Sequence, residues 1–237
     1  MKRALTLSLI ATVSAAALAA AARAATAPTP PCPPVVPAAR LAEHFLSAAC
    51  MDCWQAAPAA PATSASGALR LDWIVPAGDD APLAVAALTE AAERWHGGAL
   101  PASREALRDQ ALPAVPPGVQ LTVQSGLAWN GYMGLSFELA SPPGAWPGDA
   151  HGWVALVERV PAGQDGTAVD RQLVRAVVGP FGVQAPTGQE RLLQVYAVRL
   201  PANAQAQRLG AVGWIQRDDG QVLLATQSPA GACALGE

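Results

Sequence analysis

Cys50 and Cys53 stand two residues apart within Ala42–Pro58, where an extended apolar segment gives way to a short helical pattern. That spacing lets both sulfurs share the first turn of a helix, whose unpaired N–H groups and positive dipole end lower a thiol pKa. Cys50 is then the nucleophile toward a substrate disulfide, and Cys53 resolves the mixed intermediate. Asp52 beside them disfavours the Cys50 thiolate, so the pair is expected to be reducing rather than strongly oxidising. Two other readings stand beside this one. The pair could be an inert structural disulfide, or part of a metal site with His44. Two thiolates and one imidazole leave zinc short of four ligands, whereas copper(I) manages with fewer. Neither cofactor nor metal is built into the expectation.

Around the pair, Glu43 could be a buried base or could point to solvent, and the solvent-facing reading is preferred. Trp54 and Trp73 could line a shallow substrate groove, although seven Trp in an apolar chain belong mostly to cores and sheet faces. No G-x-S-x-G, G-x-G-x-x-G, P-loop or H-E-x-x-H motif occurs. Asp79-Asp80 and Asp218-Asp219 read as cap and turn residues.

The elements that must position these residues follow in order. Residues 1–24 read as an export signal: Lys2 and Arg3, an apolar run from Ala4 to Ala22, then the small-x-small site Ala22-Arg23-Ala24. The run barely reaches the ~20 residues of a membrane helix, so no stable anchor is expected after cleavage and the location is periplasmic or secreted. Export permits disulfides, and of the three possible pairings Cys32 with Cys233 would staple the two termini together; the alternative leaves both free or mispaired in the tails. Residues 25–39 form a proline-dense linker. The chain is 51% hydrophobic and 14% charged, which supplies ample core. A formal charge of −3 gives nucleic acid no electrostatic reason to bind.

Leu41–Leu46 reads as a strand by length, Cys50–Ala57 as a helical turn or two, and Leu69–Val75 as a second strand. A helix is expected from Asp80 with Ala81, Ala84, Val85, Leu88, Ala92 and Trp95 as its core stripe, closed by Gly97-Gly98. A second helix is expected over Arg104–Leu112, capped by Ser103 and stopped by Pro113. From Gly118 the pattern is all-β. Strands are expected around Val119–Val123, Leu135–Leu139, Trp153–Val160, Gln172–Val178, Leu192–Leu200, Ala211–Arg217 and Gln221–Thr226, with turns at Asn130-Gly131 and Asp219-Gly220. About seven strands joined by short turns point to a β-sandwich.

The run ending in Phe45, the C-x-x-C and Pro58 five residues after the second Cys resemble a thioredoxin-type active site. Glu43-His44-Phe45-Leu46-Ser47-Ala48-Ala49-Cys50-Met51-Asp52-Cys53-Trp54-Gln55-Ala56 further resembles the E-L-F-T-S-x-G-C-x-x-C-P-P-A hallmark of a secreted bacterial family of unknown function. Gln172-Leu173-Val174-Arg175 is similar to that family's N-V-V-R element, and Ala211–Gln216 to a late strand ending in Gln. Trp54-Gln55 replace the family's Pro-Pro.

The resemblance implies an α+β chain: a shortened thioredoxin-like α/β region over 40–113, an antiparallel β-sandwich of about seven strands over 118–230, and a tail over 231–237. Thioredoxin-like folds set a cis-Pro opposite the Cys pair. Its strand looks deleted here; Pro101 is the candidate for that role, with its reading as a helix-start proline preferred. The implied function is thiol–disulfide exchange with a thiol- or disulfide-bearing envelope protein. The alternatives are a catalytically silent envelope-binding module and copper(I) handling.

Overall fold

The computed structural model describes residues 37–56, 67–95, 100, 105–184, 191–201 and 203–228. The export signal, most of the proline-rich linker, Cys32, Pro58, Pro101 and Cys233 lie outside them.

Strand β1 (Arg40–Ser47) is buried from Leu41 onward, and helix α1 (Met51–Gln55) follows it after a short turn. Strand β2 (Ala68–Val75) pairs parallel to β1, with Phe45 opposite Trp73. Both strands are buried on both faces, as parallel strands are, although β1 carries Glu43 and His44 and β2 carries Asp72.

Two helix expectations are corrected. No helix starts at Asp80: a 3-10 turn at Ala84–Ala86 precedes helix α2 (Thr89–Trp95). The Leu83 N–H donates to the Ala48 carbonyl at 3.0 Å, and the Leu88 N–H to that of Ile74 at 3.0 Å. Backbone groups tied to the ends of β1 and β2 cannot also run a continuous helical ladder. Ala91 is buried and Leu88, Ala92 and Trp95 pack on the core as expected, but Val85 is exposed.

The second correction is larger. Residues 105–111 are not helical; they form strand β3 (Glu105–Ala111), antiparallel to β1 and opening with Glu105 opposite Leu46. The composition favours helix, but the open edge of β1 needs hydrogen-bond partners, and tertiary context overrides a propensity of tenths of a kcal/mol per residue. Arg108 and Gln110 alternate inward along β3, while Leu107 faces out.

Seven strands follow Gly118: β4 (Gln120–Trp129), β5 (Tyr132–Ala140), β6 (Ala150–Val160), β7 (Arg171–Gly182), β8 (Arg191–Arg199), β9 (Leu209–Arg217) and β10 (Val222–Gln227). At the β4–β5 turn both Asn130 and Gly131 take positive φ (48° and 80°), the backbone a tight two-residue hairpin needs. These strands do not form a sheet pair of their own. Four of them continue the sheet of β1–β3 in the order β10-β9-β6-β7-β2-β1-β3, while β4-β5-β8 make a second, three-stranded sheet. The seam is a parallel contact between β2 and β7 at Asp72 and Leu173.

The large sheet curls until its edges meet. The Gln110 side chain bonds both the Val222 N–H and its carbonyl, and the Ala38 N–H reaches the Ala225 carbonyl at 2.9 Å. One face buries Leu41, Phe45, Trp73, Val157, Val174 and Trp214 with α2. The other carries the small sheet at one end, over Val154, Leu156, Ala211 and Ile215. At the other end it carries α1, through Trp54 on Leu46, Ile74 and Leu173. The small sheet seats closely because Gly213 has no side chain, and a Cβ there would collide with Val123.

Candidate functional site

Cys50 and Cys53 are joined in a disulfide with their Cα atoms 5.3 Å apart. Cys50 is the N-cap of α1, and its Sγ accepts the Cys53 N–H at 3.2 Å. The turn before it is held by the Cys50 N–H on the Ser47 carbonyl (2.9 Å) and the Ala48 N–H on that of Val75 (2.8 Å). Cys50 is only 8% exposed, whereas Cys53 is partly exposed and Asp52 lies in solvent. Trp54 is buried, with its indole N–H on the Asp165 carbonyl at 2.7 Å.

A five-residue helix leaves most of its carbonyls unpaired. Arg171, the first residue of β7, supplies the donors. Its Nη2 lies 3.0 Å from the Cys53 carbonyl, 2.9 Å from that of Trp54 and 2.7 Å from that of Ala56. The guanidinium also covers the Trp54 ring at 5.3 Å. Its Nη1 contacts Asp72 Oδ1 at 3.1 Å and His44 Nδ1 at 2.9 Å, and Nε donates to Thr167 Oγ1. His44 Nε2 reaches Glu105 Oε2 at 2.8 Å.

Burial alone would raise the Asp72 carboxyl. The hydrogen bond with His44, the charges of Arg70 and Arg171 and the Gln172 N–H outweigh it and bring the group down to about 2. A buried cation and a buried anion, each hydrogen-bonded on several sides, thus fasten the disulfide-bearing helix to the centre of the large sheet.

Glu43, one residue before His44, points to the opposite face and is 1% exposed, which corrects the solvent-facing expectation. Strand alternation puts it away from α1. Its carboxylate pairs with Arg94 Nε, accepts the Trp73 indole N–H at 3.1 Å and faces Arg108 Nη1 at 3.6 Å. Arg94 Nη1 donates to Gln216 Oε1 at 2.6 Å, and the Trp214 indole N–H meets the same oxygen at 3.2 Å.

Trp54 and Trp73 therefore do not share a groove; they line separate cavities, one beside Leu173 and Arg175, the other beside Arg94 and Trp153. Sequence reading passed over Asp72, Arg171 and Arg94. The available signal was a charged residue inside or abutting an apolar run, which has to find a partner when buried. The two elements that carry the far end of the family resemblance both land on buried polar contacts: Arg175 with Glu158 (3.4 Å) and Asn203, and Gln216 with Arg94.

Among the described residues, no group of three or more His, Cys, Asp or Glu comes together to hold a metal ion. No described helix is long and apolar enough to cross a membrane. The described cis peptide, Gly179-Pro180, lies at the end of β7 away from Arg171.

No family model matches the sequence, and no curated protein matches it. A solved structure, HBP35 of Porphyromonas gingivalis, is similar in fold. Its TM-score is 0.52 over 85% of this chain and 79% of that one, at 7% identity. At that identity the likeness speaks to the fold alone.

Proposed function

We propose that the chain is a thioredoxin-like protein of the periplasm or secreted space that exchanges thiols and disulfides through Cys50 and Cys53. The observation that carries this reading is the disulfide at the start of α1, with the Cys53 N–H on Cys50 Sγ. The thioredoxin-like assignment is further supported by the succession of β1, Cys-bearing helix and parallel β2, with β3 antiparallel on the other side of β1.

In the reduced protein the Cys50 thiolate, stabilised by that N–H, attacks a partner's disulfide and expels one partner thiolate. Cys53 then loses its proton to solvent and attacks Cys50 Sγ. The partner leaves as a dithiol, two electrons richer, and the Cys50–Cys53 bond is restored. The partner class is an envelope protein bearing a disulfide, or, in the reverse direction, a dithiol. Asp52 sets the pair toward reduction by disfavouring the thiolate.

The test is insulin reduction by the wild type and by Cys50→Ser, together with trapping in Cys53→Ser. Activity in the wild type, its loss in Cys50→Ser and a mixed disulfide held on Cys50 in Cys53→Ser support the reading. Exposure favours Cys53 as the point of contact, so a mixed disulfide trapped on Cys53 in Cys50→Ser would exchange the two roles. Equal background rates in wild type and Cys50→Ser would leave the catalytically silent binding module, which the 8% exposure of Cys50 favours.

A further inference from the structure

On the Glu43 face of the large sheet, Trp73, Trp153 and Trp214 line a cavity of about 220 Å³ together with Arg94, Gln216, Val177, Glu90 and Glu93. Trp73 and Trp214 are fully buried, and Trp153, stacked on Trp214 with the rings 2° from parallel, is partly exposed. Arg94 is 8% exposed, and its Nη2 has no hydrogen-bond partner among the described residues. Glu90 and Glu93 are exposed at the mouth. None of this belongs to the Cys50–Cys53 site, which lies on the other face.

We propose that this cavity binds a single neutral pyranose ring. Its size, below the ~300 Å³ at which pockets begin to take drug-sized ligands, fits one ring rather than two. Its charges exclude the simpler alternatives. An anion entering it passes two carboxylates, and a cation meets the Arg94 guanidinium at the inner end. A neutral ligand with an apolar face and hydroxyls around its rim satisfies both ends. Its C–H face lies against the partly exposed Trp153 indole, since Trp73 and Trp214 are fully buried with Arg94 over their rings. Its oxygens accept from Arg94 and from the Gln216 amide, and its hydroxyl protons go to Glu90 and Glu93. Glu43 holds Arg94 from behind through Nε, while Nη2 has no partner among the described residues and is left for the ligand.

The experiment is a titration of the full chain with glucose, galactose, mannose and N-acetylglucosamine. It is read by indole fluorescence and by saturation-transfer NMR, with tetramethylammonium and benzoate as charged controls. The expected result is saturable binding of at least one sugar in the millimolar range, with no binding of either ion. Trp153→Ala should weaken it about tenfold. Glu93→Gln, an exposed change that leaves the fold intact, should weaken it roughly three- to tenfold. Binding of a control ion without any sugar, no saturable response to any of the sugars, or sugar binding unchanged in both variants would each overturn the proposal. Loss of insulin reduction in Cys50→Ser bears on none of these readouts.

Discussion

The two faces of β1 bury neighbouring ionisable residues and use them differently. Glu43 turns toward α2 and the tryptophans, where the Arg94 and Arg108 guanidiniums and the Trp73 indole surround it, and Arg94 passes the network on to Gln216 and Trp214. His44 turns toward α1, where Asp72 and Arg171 form a chain from the middle of the sheet to the carbonyls of the Cys-bearing helix. The first arrangement closes on itself and leaves a cavity beside it. The second spends its donors on holding a short helix that could not persist alone. Partner position accounts for the contrast. Arg94 comes from the neighbouring helix, whereas Arg171 comes from β7, a strand distant in sequence, so the Cys-bearing segment depends on the strands after Gly118.

Arg171→Ala should have the largest effect. It removes the fully buried guanidinium partner of Asp72, leaving Arg70, His44 and the Gln172 N–H, and opens three backbone carbonyls of the α1 segment. The cost is about 3–5 kcal/mol in urea unfolding, as for removal of one partner from a buried ion pair. Arg94→Ala on the other face should cost less, about 2–3 kcal/mol, because Arg108 remains near Glu43 and no backbone carbonyls lose their donor as those of the α1 segment do without Arg171. Equal losses would mean that the two networks carry the same weight.

Acid sensitivity separates the faces next. Asp72 has its carboxyl at about 2 when folded against an ordinary value of 3.8. A depressed folded value means stability present above about pH 4 and lost as pH falls toward 2, here about 2 kcal/mol. Asp72→Asn should flatten the stability profile between pH 4 and 2, and an unchanged slope would assign the acid sensitivity elsewhere. Gly213→Ala, beneath the small sheet on the opposite face of β9 from Trp214 and Gln216, should cost about 1–3 kcal/mol from overpacking, measured by thermal or urea unfolding. Asp52→Asn should have the smallest effect on stability, within about 0.5 kcal/mol. It should nonetheless make the Cys50–Cys53 pair more oxidising in glutathione titration.

Strands were legible because apolar runs and alternation leave little choice: β1, β2 and the seven strands after Gly118 all occur where the pattern puts them. Residues 105–111 were not legible. Glu, Ala, Leu, Arg and Gln favour helix locally, and only the open edge of β1, a long-range fact, makes them a strand. The start of α2 was hidden for a similar reason, since the anchors of Leu83 and Leu88 are backbone atoms of other segments. The Cys pair announced itself by spacing. Arg171 did not, because a charge at the start of a strand looks like any solvent-facing end until α1 is seen to lie over it. The inward turn of Glu43 is hidden for the same reason, since its partners Arg94 and Arg108 are distant in sequence.

The most direct measurement is a redox titration of the native chain against dithiothreitol ratios. Thiols are alkylated and counted by mass, and circular dichroism follows the fold. A reversible two-electron transition at Cys50–Cys53, with the β signal intact, is the expected result. A pair that reduces only when denaturant has unfolded the protein would contradict the account and leave the disulfide as a fixed brace.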